Sequence, residues 1–238
     1  MLFNLFMKKA LIILHQKRSI PGDIGNKLKL RGFNLDIIKP SLGDSLPPNL
    51  KEYDLVVVLG GPISANDNYQ YIKDEIDWIK VVLESNKPFL GICLGAQILA
   101  KHLGCKIEKN DNSISEIGFY NIHPTDLGQK IFKKNNLFFQ FHDEGFELPP
   151  NSDLLATGDR FKNQAFKYKN CYGFQFHPEV NFYLHLRWLF FILIYNPKKL
   201  FVKGAQNILI QLFFRFRYNK TISLWLDDFL DNYLLKNN

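Results

Sequence analysis

Short apolar runs separated by helix-period segments limit this chain to very few folds. "ALIIL" (10–14), "FNLDIIK" (33–39), "LVVVLGG" (55–61) and "FLGIC" (89–93) read as strands. Between them, "GDIGNKLKLRG" is a short amphipathic helix closed by Gly32. "YIKDEIDWIKVVLES" places Ile72, Ile76, Ile79 and Leu83 at helical spacing, and "LGAQILAKHLG" is a helix ended by Gly104. A strand covered on both faces meets no water and reads as a continuous apolar run. Alternating such runs with helices predicts an α/β domain, a mostly parallel central sheet with helices on both faces, and a site at the carboxyl ends of its strands.

From about residue 105 the pattern turns into a β-rich excursion: "IGFYNIHP", "LFFQFH", "DLLATG", "NQAFKYK" and "CYGFQFH". From Val180 it becomes helical again. Residues 7–180 are therefore expected to form one domain, with 181–238 as a helical C-terminal extension packed on it. Residues 1–6 read as an extension ahead of a second start at Met7.

Composition narrows the classes. Three cysteines, Cys93, Cys105 and Cys171, are too few and too odd in number for a disulfide scaffold, and they point to a reducing, cytoplasmic setting. No CxxC or Cys/His cluster has zinc spacing, so no metal is expected. The run "ALIIL" has five residues, short of the roughly 7–15 of a secretory core. The longest apolar stretch, "FYLHLRWLFFILIY", is broken by His185 and Arg187 and falls short of the ~18 residues of a membrane span. Net charge is +7, and residues 181–238 hold eight Lys and Arg against three Asp. That tail predicts a basic surface, including Lys198, Lys199, Arg215 and Arg217, for an acidic partner or a second copy, in a salt-sensitive contact. No nucleic-acid partner is expected.

"GICLGAQILA" puts Cys93 between Gly91 and Gly95 where a strand turns straight into a helix. This is the pattern of a nucleophile elbow, in which a strained backbone lifts the side chain clear of the sheet. The helix N-terminus beyond it favours a thiolate and an oxyanion. A cysteine merely packed in a tight turn is the competing reading. "GFQFHPEV" weighs against that reading. His177 and Glu179 sit two apart at the end of a predicted strand, on one face, as a base and its orienting acid. In "LGGPIS", Gly60 and Gly61 bring backbone N–H groups close to a substrate. Gly61 N–H and Leu94 N–H are the expected oxyanion donors.

"VLGGPIS", "KPFLGICLGAQILAKHLG" and "YGFQFHPEV" resemble the three signature blocks of the class I, triad-type glutamine amidotransferases. Within that family the chain is similar to free-standing proteins like the amidotransferase domain of GMP synthase. The resemblance covers residues 8–180 in order. It implies a flavodoxin-like amidotransferase fold and attack of Cys93 on the glutamine side-chain amide. His177 carries the proton to departing ammonia, Glu179 orients His177, and no cofactor takes part. Gln97 matches a family position that helps hold the substrate. "FFQFHDEGFELPP" matches a substrate-bordering loop that in relatives often begins His-x-His. Here Gln140 takes the first place, which leaves His142 and Glu144 as candidate specificity residues.

No phosphate-cradling loop and no "SGGxDS" stretch is present. Three readings follow. The chain delivers ammonia to an acceptor enzyme in trans or within a homodimer. Or it hydrolyses γ-glutamyl peptides or amines with water as the acceptor. Or it is an inactive binding or regulatory module.

Overall fold

A computed structural model describes residues 8–110 and 112–236. The expected extension 1–6 lies outside the described residues. Strands β1 (Lys9–Ile13), β2 (Asn34–Ile38), β3 (Leu55–Val58) and β4 (Phe89–Ile92) alternate with helices α1 (Gly22–Leu30), α2 (Gln70–Ser85) and α3 (Leu94–His102). There follow β5 (Ile107–Glu108), β6 (Glu116–Asn121), β7 (His123–Pro124), the single turn α4 (Gln129–Phe132), β8 (Leu137–His142), β9 (Gly145–Phe146), β10 (Asp153–Thr157), β11 (Asn163–Tyr168) and β12 (Cys171–Phe174). Helices α5 (Phe182–Tyr195) and α6 (Ile208–Phe229) follow, with a last π-helical turn at Leu230–Leu234.

The central sheet runs β2-β1-β3-β4-β12-β11-β10-β7. Its first five strands are parallel, and the excursion adds three antiparallel ones. Alternation within each buried strand feeds two cores. Ala10, Ile12, Val57 and Ile92 face α1 and α6. Leu11, Ile13, Val56 and Val58 face α2 and α3. The mostly parallel sheet with helices on both faces is thus the observed architecture. Strands β6 and β8 leave the sheet to pair with each other. They bring Phe138 against Phe176 and Trp225 and set Phe119 against Phe139, and the Trp225 indole N–H donates to the Ile131 carbonyl at 2.8 Å.

The tail belongs to this core, since Ile222, Trp225, Leu226 and Phe229 of α6 are buried in it. Its acids pair with the domain: Asp227 with Lys27 of α1 and with Arg31 just beyond that helix, Asp231 with Arg31, and Asp228 with Lys134. One expectation is corrected here. Arg215 is not on the surface but completely buried, whereas Arg217 is exposed. Two residues along a helix turn a side chain by about 200°, so neighbouring arginines in "FRFR" point to opposite sides. No helix among the described residues is long and apolar enough to cross a membrane.

Candidate active site

Three parallel strands, β3, β4 and β12, end side by side, and their carboxyl ends build the site. Cys93 follows β4 directly and has φ 51° and ψ −107°, the left-handed side that L residues avoid. Its N–H donates to the Phe174 carbonyl at 2.7 Å, which ties the turn to β12. The flanking glycines are sterically required. A Cβ on Gly91 would stand 2.6 Å from the Gly95 carbonyl carbon, and one on Gly95 would run into the Val58 carbonyl. Helix α3 begins at Leu94, so its first N–H groups lack intrahelical partners and lie at the site.

Strand β12 stops at Phe174, so the strand expected to carry His177 and Glu179 ends short of both. They stand in the irregular stretch beyond it, so pleat alternation is not what aligns them. His177 is fixed instead by its own N–H, which donates to the Phe139 carbonyl at 2.8 Å. Its Nδ1–H donates to Glu179 Oε1 at 2.8 Å. Cys93, His177 and Glu179 are all buried. Burial opposes a charged His177 ring, but the Glu179 carboxylate and the adjacent Cys93 thiol outweigh it and raise its pKa to about 10. Trp188 of α5 packs edge-on against the ring, 5.2 Å between centroids.

The β3 turn packs against this group. A Cβ on Gly60 would come within 2.8 Å of His177 Cε1 and 3.4 Å of Cys93 Cβ, so only glycine lets the backbone approach. Gly61 packs against Leu94 and His15. Beneath the turn lies a pair that no sequence pattern connects. His15 Nε2–H reaches both Glu75 carboxylate oxygens at 3.1 Å, and its Nδ1–H points to the Gly60 carbonyl at 3.3 Å. Both ring nitrogens face acceptors. Burial works against the imidazolium, Glu75 outweighs it, and the pKa is raised.

The remaining candidates fall into one buried polar network. Gln97 Nε2 donates to the Glu144 carbonyl at 3.0 Å and to Gln175 Oε1 at 3.3 Å, while Gln175 Nε2 reaches Cys93 Sγ at 3.7 Å. His142 Nδ1 lies 2.9 Å from the Glu144 carbonyl, and its Nε2 lies 3.1 Å from Gln140 Oε1 and from Glu116 Oε2. The Glu144 carboxylate accepts from Ser64 Oγ at 2.6 Å, across to the β3 loop. His142 thus stands behind Gln97 and Glu144. Gln175 touches the thiol, yet the motif reading does not single it out, although it lies inside the same "GFQFHPEV" stretch. No group of His, Cys, Asp and Glu among the described residues has the arrangement of a metal site.

The model of the glutamine amidotransferase class-I family matches residues 17–194. The glutamine-hydrolysing GMP synthase subunit of Ignicoccus hospitalis is 32% identical over 167 residues, 69% of this chain and 81% of its own length. The corresponding protein of Thermococcus kodakarensis is 37% identical over 52% of this chain and 65% of its own. In three dimensions, a glutamine amidotransferase of Thermotoga maritima superposes with a TM-score of 0.85 at 29% identity, covering 96% of this chain and 98% of that one. An elbow cysteine beside a buried His–Glu pair stands at the carboxyl ends of a mostly parallel α/β sheet. The chain belongs to the class I glutamine amidotransferases.

Proposed function

We propose that the chain performs the glutaminase half-reaction through a Cys93–His177–Glu179 triad. The observation that carries this reading is the strained Cys93 set beside a His177 whose Nδ1 is held by Glu179 at 2.8 Å. The Sγ proton already rests on His177, whose pKa is raised to about 10, when sulfur attacks the glutamine amide carbon. The C–N bond breaks, and that proton leaves with ammonia. Glutamate stays as a γ-glutamyl thioester. A water, deprotonated by His177, then cleaves the C–S bond and returns the thiol. Gly61 and Leu94 N–H groups are the donors for the tetrahedral oxygen, and Gln97, Glu144 and, behind them, His142 shape the donor pocket. Because the named GMP synthase relatives are components of a synthase, an acceptor enzyme in trans is the fitting consumer of ammonia, with a homodimer as the alternative assembly.

One observation favours hydrolysis of a larger γ-glutamyl compound. A small cleft of about 70 Å³ opens beside Gly60 and Glu179, lined by Trp188, Phe191, Arg18 and Arg187. Its aromatic and cationic lining suits a leaving group larger than ammonia. Incubation with glutamine and with γ-glutamyl-phenylalanine, with ammonia, phenylalanine and glutamate measured, separates the two. Higher kcat/KM for glutamine supports the amidotransferase reading, and higher kcat/KM for the dipeptide supports the hydrolase. No turnover of either, with wild type and Cys93→Ala alike, leaves the regulatory module.

A further inference from the structure

Helix α6 carries a guanidinium into the interior and leaves most of it unbonded. Arg215 has no exposed surface. Its Nε donates to His185 Nδ1 at 3.4 Å, and His185 Nε2–H points to Gln211 Oε1 at 3.3 Å. The guanidinium stands 4.8 Å from the Phe119 centroid and 5.4 Å from that of Phe139. Neither Nη1 nor Nη2 has a hydrogen-bond partner among the described residues. A buried charge in this condition is strongly destabilising unless a countercharge answers it.

Such a countercharge is close by. Glu179 gives Oε1 to His177, and its Oε2 is buried without a partner among the described residues. Burial lowers the pKa of Arg215, against the pull of Glu179 and Asp23, which hold its proton on. Asp23 is engaged elsewhere: its carboxylate accepts from Ser223 Oγ at 2.8 Å and stands 3.9 Å from Lys27. His185 is neutral, since burial and then Arg215 lower its pKa to about 4. Glu179 is thus the carboxylate in need of a partner, as Arg215 is the cation. Phe139 ties the two together, with its ring by Arg215 and its carbonyl accepting the His177 N–H.

We propose that Arg215 is a positioning residue of the triad. As the countercharge of Glu179 Oε2, it holds that carboxylate turned towards His177 Nδ1. The proposal rests on the triad reading and deepens it, because Arg215 acts only through Glu179.

The test is a double-mutant cycle on the full chain: wild type, Arg215→Met, Glu179→Gln and the double variant, with Arg215→Lys as the charge-keeping control. Two readouts are taken, kcat and KM for glutamine hydrolysis, and the pH profile of Cys93 alkylation by iodoacetamide. The second needs no turnover. Arg215→Met is expected to lower kcat about 10–100-fold, as loss of an outer partner does, with KM little changed. It is also expected to move the alkylation profile. In the Glu179→Gln background the same change adds less than about twofold, and Arg215→Lys recovers most of the loss. Equal, independent losses in both backgrounds overturn the proposal, as does a Lys variant no better than Met. If Arg215→Met fails to fold, the cycle is run with Arg215→Lys, where a loss that vanishes in Glu179→Gln supports the proposal and a persisting one overturns it. Glu179→Gln with unchanged kcat and unchanged alkylation overturns the triad reading itself, a result distinct from additivity.

Discussion

A thiol becomes a nucleophile through its surroundings, and the three cysteines have different ones. Burial pushes Cys171 up to about 12 and raises Cys105, the latter helped by the charge of Glu147. Cys93 alone sits on an elbow beside an imidazole. A glutamine analogue with an electrophilic side chain is expected to label Cys93 only, as read by peptide mass mapping; label on Cys105 or Cys171 in its place removes the assignment. His177→Ala is expected to cost nearly as much as Cys93→Ala, and Glu179→Ala about 10-fold less or better, since an orienting acid is partly replaceable. Buried histidines also set a pH window for stability. His177 is raised from 6.5 to about 10, so its contribution is full below pH 6.5 and is lost as pH climbs towards 10. His15 is raised as well and acts in the same direction. His185 is lowered to about 4, so its contribution is full above pH 6.5 and is lost as pH falls through 4. Urea midpoints measured from pH 4 to 10 are expected to peak near 6.5, and His177→Asn is expected to flatten the alkaline side.

At the scale of elements, the site is three strand ends and the turns that leave them. The β3 turn is held from below by the His15–Glu75 pair, so Glu75→Leu is expected to destabilise by about 3–5 kcal/mol, because it strands a buried imidazole. Joint replacement of His15 and Glu75 by leucine is expected to recover most of that loss in urea unfolding; a double variant as weak as Glu75→Leu contradicts the account. These elements also show what a sequence discloses. Strands buried on both faces and the glycines around Cys93 are local features, and both are legible. The His177–Glu179 pairing is legible from spacing, but for an incomplete reason, because β12 ends at Phe174 and a loop presents the pair. His15 and Glu75 are 60 residues apart with no pattern joining them. Arg215 and Arg217 are the same residue type in the same run, and only the phase of α6 against the core decides which goes inward.

For the whole molecule, the outer faces of α5 and α6 remain open. Phe190, Leu193, Phe213 and Phe216 are all exposed, Phe216 at 83%. With Arg215 buried and Lys199 beside Asp143 at 3.6 Å, this face is more apolar than the tail's composition implies. The proposed docking of a second copy here is therefore expected to resist salt, not weaken with it, since screening acts on charges and leaves apolar burial intact. Sedimentation at low and high salt is expected to show the same larger-than-monomer species, and Phe213→Ser with Phe216→Ser to shift it to monomer; dissociation at high salt restores the basic contact. The position of β12 carries a different consequence. It lies between β4 and β11 in the sheet, yet Cys171, its first residue, comes long after Ile92, the last of β4. During synthesis the elbow strand is complete while its neighbour is still untranslated, and the His–Glu pair follows that neighbour. In the proposed triad, the growing polypeptide thus carries its cysteine without its base until residues 177 and 179 have been made.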